Sequence, residues 1–449
     1  MGTRPVNILF FLPDQHRPDW LGGNSDLPVR TPNLDRLCEA GVRFSNAFTP
    51  SPLCAPARAC LAAARDYAHC RVPSNRENFP LDLPTYYQRL HEAGYRACGV
   101  GKFDLHKDLA KPRAELDWHL DGSRLLSAWG FTEGIDSEGK GDGYAAFRAA
   151  GRPKGPYLEF LRRRGLADAY AREHDQRKLH QNAYVTVLPE DAYSDNWIAE
   201  NGLRFLRGFP EGRPWHLVVN FTGPHSPMDV TQRMHDQWAE VRFPLPVDNE
   251  DTEYSPEHHQ RVRQHYAAMI ENIDRHVGRF LDAARERGDL DNTLVVYASD
   301  HGEMLGDHGR WGKATWHTPS TGIPLLVAGP GVEQGVTSDA LVCLQDLAAT
   351  FLDVSGADPL PRMEARSLRR VLAGETDRHR DCVVSGLRDW RMVFDGRYKL
   401  VVGAEPALLL YDTREDAWEQ HNLAEREPGH VARLERMLHE HERAAGPAA

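Results

Sequence analysis

Short apolar runs without a polar face recur along this chain, and two of them lead straight into metal-ligating side chains. Val6 to Leu12 is followed by Asp14-Gln15, and Thr293 to Ala298 by Asp300-His301. A strand that is apolar on both faces must be covered on both, which calls for a parallel sheet between two layers of helices. Tyr95 to Val100, Trp215 to Phe221 and Pro324 to Ala328 read the same way. Between them lie helical patterns: Thr31 to Glu39 with Pro32 in its first turn, a segment near Leu83 to Ala93, Ala192 to Arg207, and His258 to Arg287. This order predicts an α/β fold with a large, mostly parallel sheet flanked by helices.

Near Gly374 the pattern changes to short strands separated by turns: Cys382 to Ser385, Trp390 to Phe394, Tyr398 to Val402 and Leu408 to Tyr411, with Asp395-Gly396 as one turn. They predict a small antiparallel sheet, packed by a final helix from Val431 to Arg443. The expected division is a large α/β domain over residues 1–374 and a C-terminal α+β subdomain over 375–449. The polar stretch Arg152 to Pro189 is expected to leave the sheet and cover the site.

The 449 residues carry a formal net charge of −11, which opposes nucleic-acid binding, where a basic stripe is needed. A local cationic pocket for an anionic substrate remains compatible with that charge. No run approaches the roughly 20 apolar residues of a membrane span. The first residues lack the pattern of a signal peptide. Seven scattered cysteines, an odd number, argue against a disulfide framework and for a reducing, cytoplasmic setting.

Ligands of open α/β sheets bind beyond the carboxyl ends of strands. Asp14 and Asp300, leaving two strands at that edge, can converge on one cation, with Gln15 adding an oxygen and His301 a nitrogen. A mixed oxygen and nitrogen set suits Mn²⁺ or another transition ion better than Ca²⁺. Either pair alone reads more readily as a turn or a helix cap at a strand end. The segment Cys54-Ala55-Pro56-Ala57-Arg58 opens an alanine-rich helix. Cys54 then sits at a helix N-terminus, where backbone N–H groups favour an anion, with Arg58 one turn on. A lone cysteine is more often simply buried. A phosphatase thiolate loop needs a longer gap between cysteine and arginine than this one.

Those five residues resemble the Cys-x-Pro-x-Arg signature of type I sulfatases, within the alkaline phosphatase superfamily. The surroundings match in order: Asn7 to Gln15, Thr31 to Leu37, Gly94-Tyr95 with Gly101-Lys102, Pro224-His225-Ser226-Pro227, Ser299 to Gly309, and Gly312-Lys313. Asp395 to Leu400, Leu410 to Asp412 and Asn422-Leu423 resemble that family's C-terminal subdomain. The resemblance implies one divalent ion, Ca²⁺ or Mn²⁺, held by Asp14, Gln15, Asp300, His301 and residue 54. It implies that Cys54 becomes formylglycine (3-oxoalanine), made by a formylglycine-generating enzyme, and attacks sulfur as its hydrate. Loss of the second hydrate proton would then release sulfate and restore the aldehyde. Arg58, Lys102 and Lys313 would neutralise the transferring group. His225 or Lys313 would protonate the leaving oxygen. Asn75, Asp104, His106 and His317 are further candidates for contacts with the substrate, a small-molecule or carbohydrate sulfate ester. The resemblance leaves room for a homo-oligomer.

The chain departs from the common pattern at several points. Gln15 and His301 stand where many sulfatases have Asp and Asn, a pairing that resembles phosphonate monoester and phosphodiester hydrolases and choline sulfatase-like members. Lys102 is followed by Phe103-Asp104 where Trp-His is usual, and Leu61 by three alanines where Thr-Gly-Arg is usual. Three readings follow: a sulfuric ester hydrolase, a phosphonate monoester or phosphodiester hydrolase with the same site, and an inactive binding protein of the same fold.

Overall fold

The computed structural model describes residues 5–23, 26–175, 182–248 and 254–444. An eight-stranded sheet runs, edge to edge, through Val336–Ser338, Gly41–Phe44, Leu325–Ala328, Thr293–Ala298, Asn7–Phe11, Trp215–Asn220, Arg96–Gly101 and Glu133–Asp136. Leu325–Ala328 alone runs against the others. The sheet is therefore mostly parallel, as the unbroken apolar runs require.

Residues of the central strand alternate between two cores. Ile8 and Phe10 join the cluster on one face, and Leu9 and Phe11 that on the other, all fully buried. Each such side chain contributes about 1.5–3 kcal/mol. One face is covered by Cys54–Ala63, Tyr86–Glu92 and Asp346–Ser355, the other by Pro32–Glu39, Ser194–Gly208 and the 31-residue helix Pro256–Glu286. The helix near Leu83 starts only at Tyr86. Pro84 restrains the residue before it, and Thr85 and Gln88 close a reciprocal cap, Thr85 Oγ1 accepting from Gln88 N at 3.1 Å and Gln88 Oε1 from Thr85 N at 3.0 Å.

The C-terminal hairpins form a four-stranded antiparallel sheet, Val383–Leu387, Trp390–Phe394, Tyr398–Val402 and Leu408–Asp412. One face packs on Phe48, Trp316 and Leu341 of the large domain. The other receives Leu434 and Leu438 of the helix Pro428–Ala444. Among the described residues no helix is long and apolar enough to cross a membrane.

The expectation for Arg152 to Pro189 needs correction. Residues 176–181 lie outside the described residues. The rest contains two short helices, Pro156–Arg163 and Ala167–Asp175, which bury Leu158, Leu161 and Tyr170 in the large domain. Their arginines face solvent, Arg162 at 55% and Arg163 at 72% side-chain exposure. Among the described residues of the stretch, the polarity marks an outer face. The first turn of Lys140–Ala150, which the sequence reading did not pick out, reaches the site instead.

Candidate active site

Four neighbouring parallel strands deliver their next residues to one edge. Thr293–Ala298 leads to Asp300 and His301, Asn7–Phe11 to Asp14 and Gln15, Trp215–Asn220 to His225, and Arg96–Gly101 to Lys102. The loops are tied to one another. Gln15 N donates to Asp300 Oδ1 at 3.0 Å, His16 N to Ser299 Oγ at 2.8 Å, and Asp14 N to the Gly223 carbonyl at 3.1 Å. Asp195 holds the His225 loop by accepting from Thr222 N at 2.8 Å and Gly223 N at 3.1 Å.

Cys54 opens the Cys54–Ala63 helix, and all ten side chains of that helix are buried. Asn75 Oδ1 accepts from Ala55 N at 3.0 Å, which satisfies one of the orphan donors of the first turn. Cys54 Sγ lies 3.2 Å from His301 Nε2, 3.3 Å from Lys313 Nζ and 3.7 Å from Asp14 Oδ1. Burial and Asp14 raise the thiol pKa, yet Lys102, Lys313 and His301 together hold it well below the ordinary thiol range. Burial likewise opposes ionisation of Asp14, and the cations Lys102, Lys313 and Arg58 overcome it.

Asp14, Cys54, Asp300 and His301 place one donor atom each within 4.8 Å of one another, all buried. Ligands about 2.0–2.4 Å from a shared ion are separated by no more than twice that distance, so the spacing fits a single metal ion. His301 Nδ1 lies 3.0 Å from the Gly302 carbonyl, so Nδ1 carries the proton and Nε2 is free to ligate. Gln15, the other expected ligand, turns its amide elsewhere: Nε2 bonds Glu303 Oε2, and Oε1 accepts from Lys313 Nζ at 2.5 Å.

A cavity of about 440 Å³ is lined by Gln15, Asn75, Lys102, His225 and Lys313 among others, and two of these, Lys102 and Lys313, contact the cluster at Asp14 and Cys54. A hollow of about 490 Å³ at the far end of the strands, by Thr293 and Ala328, contains none of these groups. Arg58, expected to reach toward residue 54, is engaged here with the neighbouring carboxylates. It donates to Asp300 Oδ2 at 2.8 Å, the Lys102 carbonyl at 2.6 Å and Asn220 Oδ1 at 3.0 Å, and lies 3.6 Å from Asp14 Oδ2. It orders the carboxylates from behind. Lys102 pairs with Asp14 and, at 2.9 Å, with Asp104. Asp104 is buried and also holds Lys107 at 2.9 Å, so its charge is spent on two lysines and it does not line the cavity.

His225 Nδ1 lies 2.5 Å from the Ser226 carbonyl, which assigns the proton to Nδ1 and leaves Nε2 as the acceptor. Burial, then Lys313, lowers its pKa, so the ring is neutral near pH 7. Two expected contacts fall away from the cavity. His106 pairs with Asp108 at 2.9 Å. His317 is 5% exposed, stacks on His308 and Trp316, and bonds Thr315 Oγ1 at 2.8 Å. Both were inferred from nearness to a lysine in sequence, and the loops turn them outward or into packing.

Sequence reasoning passed over Lys107, Lys140, Asp142, Glu303 and Trp311, all on the cavity wall. Glu303 lies inside the Ser299 to Gly309 motif, which was the available signal; Lys140 and Asp142 had none.

The edge of a mostly parallel α/β sheet, a buried donor cluster with the spacing of a metal site and a ring of cations suit the hydrolysis of anionic esters. The Sulfatase family profile matches residues 6–357, and that for N-sulphoglucosamine sulphohydrolase, C-terminal, matches residues 306–444. The chain belongs to the sulfatase family, the sulfuric ester hydrolases. It is similar to a choline-sulfatase of Rhizobium meliloti, 26% identical with 96% of this chain and 85% of that one covered. An N-acetylglucosamine-6-O-sulfatase of Bacteroides thetaiotaomicron is 26% identical over 83% of this chain and 72% of its own. Among solved structures, a phosphonate monoester hydrolase of Agrobacterium radiobacter superposes with TM-score 0.80 at 22% identity, covering 97% of this chain and 96% of that one.

Proposed function

We propose that the protein hydrolyses a sulfate monoester of a small molecule or carbohydrate, with residue 54 as nucleophile after oxidation to formylglycine. One observation carries this reading: Cys54 Sγ lies within 3.7 Å of Asp14, His301 and Lys313, and Lys313 lines the 440 Å³ cavity. The sulfur stands in for a hydroxyl oxygen of the hydrated aldehyde. A divalent ion held by Asp14, Asp300, His301 and residue 54 would supply Lewis acidity to the nucleophile and the ester. The nitrogen ligand favours Mn²⁺ over Ca²⁺.

The remaining work falls to this chain's own residues. Lys102 and Lys313 present ammonium groups to the anion, while Arg58 keeps Asp14 and Asp300 aligned from behind. Neutral His225, with Nε2 as acceptor, is placed to take a proton and return it to the leaving oxygen. Lys313, with a proton to give 3.3 Å from residue 54, is the second candidate donor. Trp311, Met228 and Leu53 give the leaving group an apolar wall, and Lys107 with Asp142 a polar one. Maturation would need a formylglycine-generating enzyme, and the odd cysteine count supports a cytoplasmic setting.

A phosphonate monoester is the second reading, favoured by the His301 ligand and the neutral Gln15 beside it. Turnover of an aryl sulfate and the matching aryl phosphonate, on protein whose Cys54 peptide is shown by mass spectrometry to carry the aldehyde, separates the two. The proposal expects the larger kcat/KM on the sulfate, and none on either in Cys54→Ala. Undiminished turnover in that variant would overturn the nucleophile assignment. A fully matured protein inert to both esters would favour a binding protein.

A further inference from the structure

We propose that Glu303 is a positioning residue: its carboxylate fixes which way the Gln15 amide faces, and so seats the Lys313 ammonium on residue 54. Glu303 is 1% exposed and sits in the loop between the donor pair Asp300-His301 and Lys313. Its Oε1 accepts from Leu305 N at 3.0 Å and from Gly312 N at 2.6 Å. Its Oε2 accepts from Gln15 Nε2. All three partners are neutral N–H donors.

A glutamine amide has a donor end and an acceptor end of nearly equal size, and only its partners decide between them. A carboxylate accepts and cannot donate. Facing Glu303, Gln15 must therefore offer Nε2 to it and turn Oε1 the other way. Lys313 Nζ lies on that other side, 2.5 Å from Oε1 and 3.3 Å from Cys54 Sγ. The Gln15 backbone has little freedom of its own. Its N donates to Asp300 at 3.0 Å, its carbonyl accepts from Tyr266 Oη at 2.6 Å, and its φ is +73°. The side-chain orientation is what remains to be set. Through Gly312 N the same carboxylate also holds the residue before Lys313, so both ends of the lysine's surroundings depend on one buried acid.

Glu303→Gln keeps the shape and introduces an NH₂. That NH₂ must face either the Gln15 amide nitrogen or the backbone N–H groups of Leu305 and Gly312. The first choice reverses Gln15 and points a donor at Lys313; the second releases the loop.

The kinetic test rests on the hydrolase reading above. With an aryl ester, Glu303→Gln is expected to lower kcat about 10- to 100-fold while KM changes much less. If Glu303 acts through Lys313, the same change made on Lys313→Ala should cost less than about 3-fold more. An equal loss in both backgrounds, or a Glu303→Gln enzyme as fast as the parent, overturns the proposal. A crystal structure of Glu303→Gln decides the geometry without any activity. The expectation is Lys313 Nζ withdrawn from residue 54, and an unchanged Lys313 refutes it even where no ester is turned over. Should that variant not fold, Gln15→Met carries the test. It severs the amide link and leaves the carboxylate bonded to Leu305 and Gly312, and it too should add little on Lys313→Ala.

Discussion

Removing Arg58 probes the electrostatics of the site most sharply, because the guanidinium is 3% exposed and its removal strands several buried groups at once. In Arg58→Met, Asp300 loses its 2.8 Å ion pair, and Asp14 loses a cation 3.6 Å away. The Lys102 carbonyl and Asn220 Oδ1 lose donors at 2.6 and 3.0 Å. Breaking a buried ion pair from one side costs about 3–5 kcal/mol, and each stranded acceptor about 1–3 kcal/mol more, with partial overlap between them. Against a total stability of about 5–15 kcal/mol, the metal-free variant should be severely destabilised. A divalent ion offers the two carboxylates another positive partner. Adding Mn²⁺ to the chelator-treated proteins should therefore raise the melting temperature of the variant more than that of the parent. Differential scanning fluorimetry with EDTA and with Mn²⁺ checks this. A variant as stable as the parent in EDTA, or one that gains no more from the ion, would refute the reasoning.

Acid should unfold the protein early. Burial pushes the pKa of His16 and His265 down to about 4, and of His216 and His276 to about 3, so these rings stay neutral when folded. The unfolded chain protonates them near 6.5, so stability is full above that pH and falls as pH drops toward the folded values, by roughly 1 kcal/mol per histidine between pH 7 and 5.5. Urea midpoints that do not move over that interval would contradict this. Gly101→Ala should fail more locally. Its Cβ would stand 2.0 Å from the Asn220 carbonyl oxygen at φ +103°, where only backbone movement relieves the clash. The expected loss is several kcal/mol of stability together with the seat of Lys102, read by thermal melting and turnover.

Much of this arrangement was legible because it is written locally. The strand Asn7–Phe11 is apolar at every buried position after Asn7, and the acid that follows it by three residues lands where parallel strands end. The same logic placed Asp300, and the helix opening at Cys54 followed from its proline and alanines. What escaped depends on loops meeting across the fold. Arg58 was expected to serve the group at residue 54, and its pairing with both Asp14 and Asp300 was not foreseen. Asp104 looked like a substrate contact until Lys102 and Lys107 closed on it. Lys140, on the cavity wall, reaches Asp229 89 positions away, and no spacing in sequence announces such a pair. His106 and His317 show the converse error, since adjacency to a reactive lysine says nothing of the direction in which a loop turns.

The most direct test of the account is a crystal structure of the matured protein grown with Mn²⁺, with data collected on both sides of the manganese absorption edge. The account predicts one strong anomalous peak within bonding distance of Asp14, Asp300 and His301, with an oxygen-bearing side chain at position 54 against it. A peak elsewhere, or an intact thiol at that position in fully active protein, would contradict it.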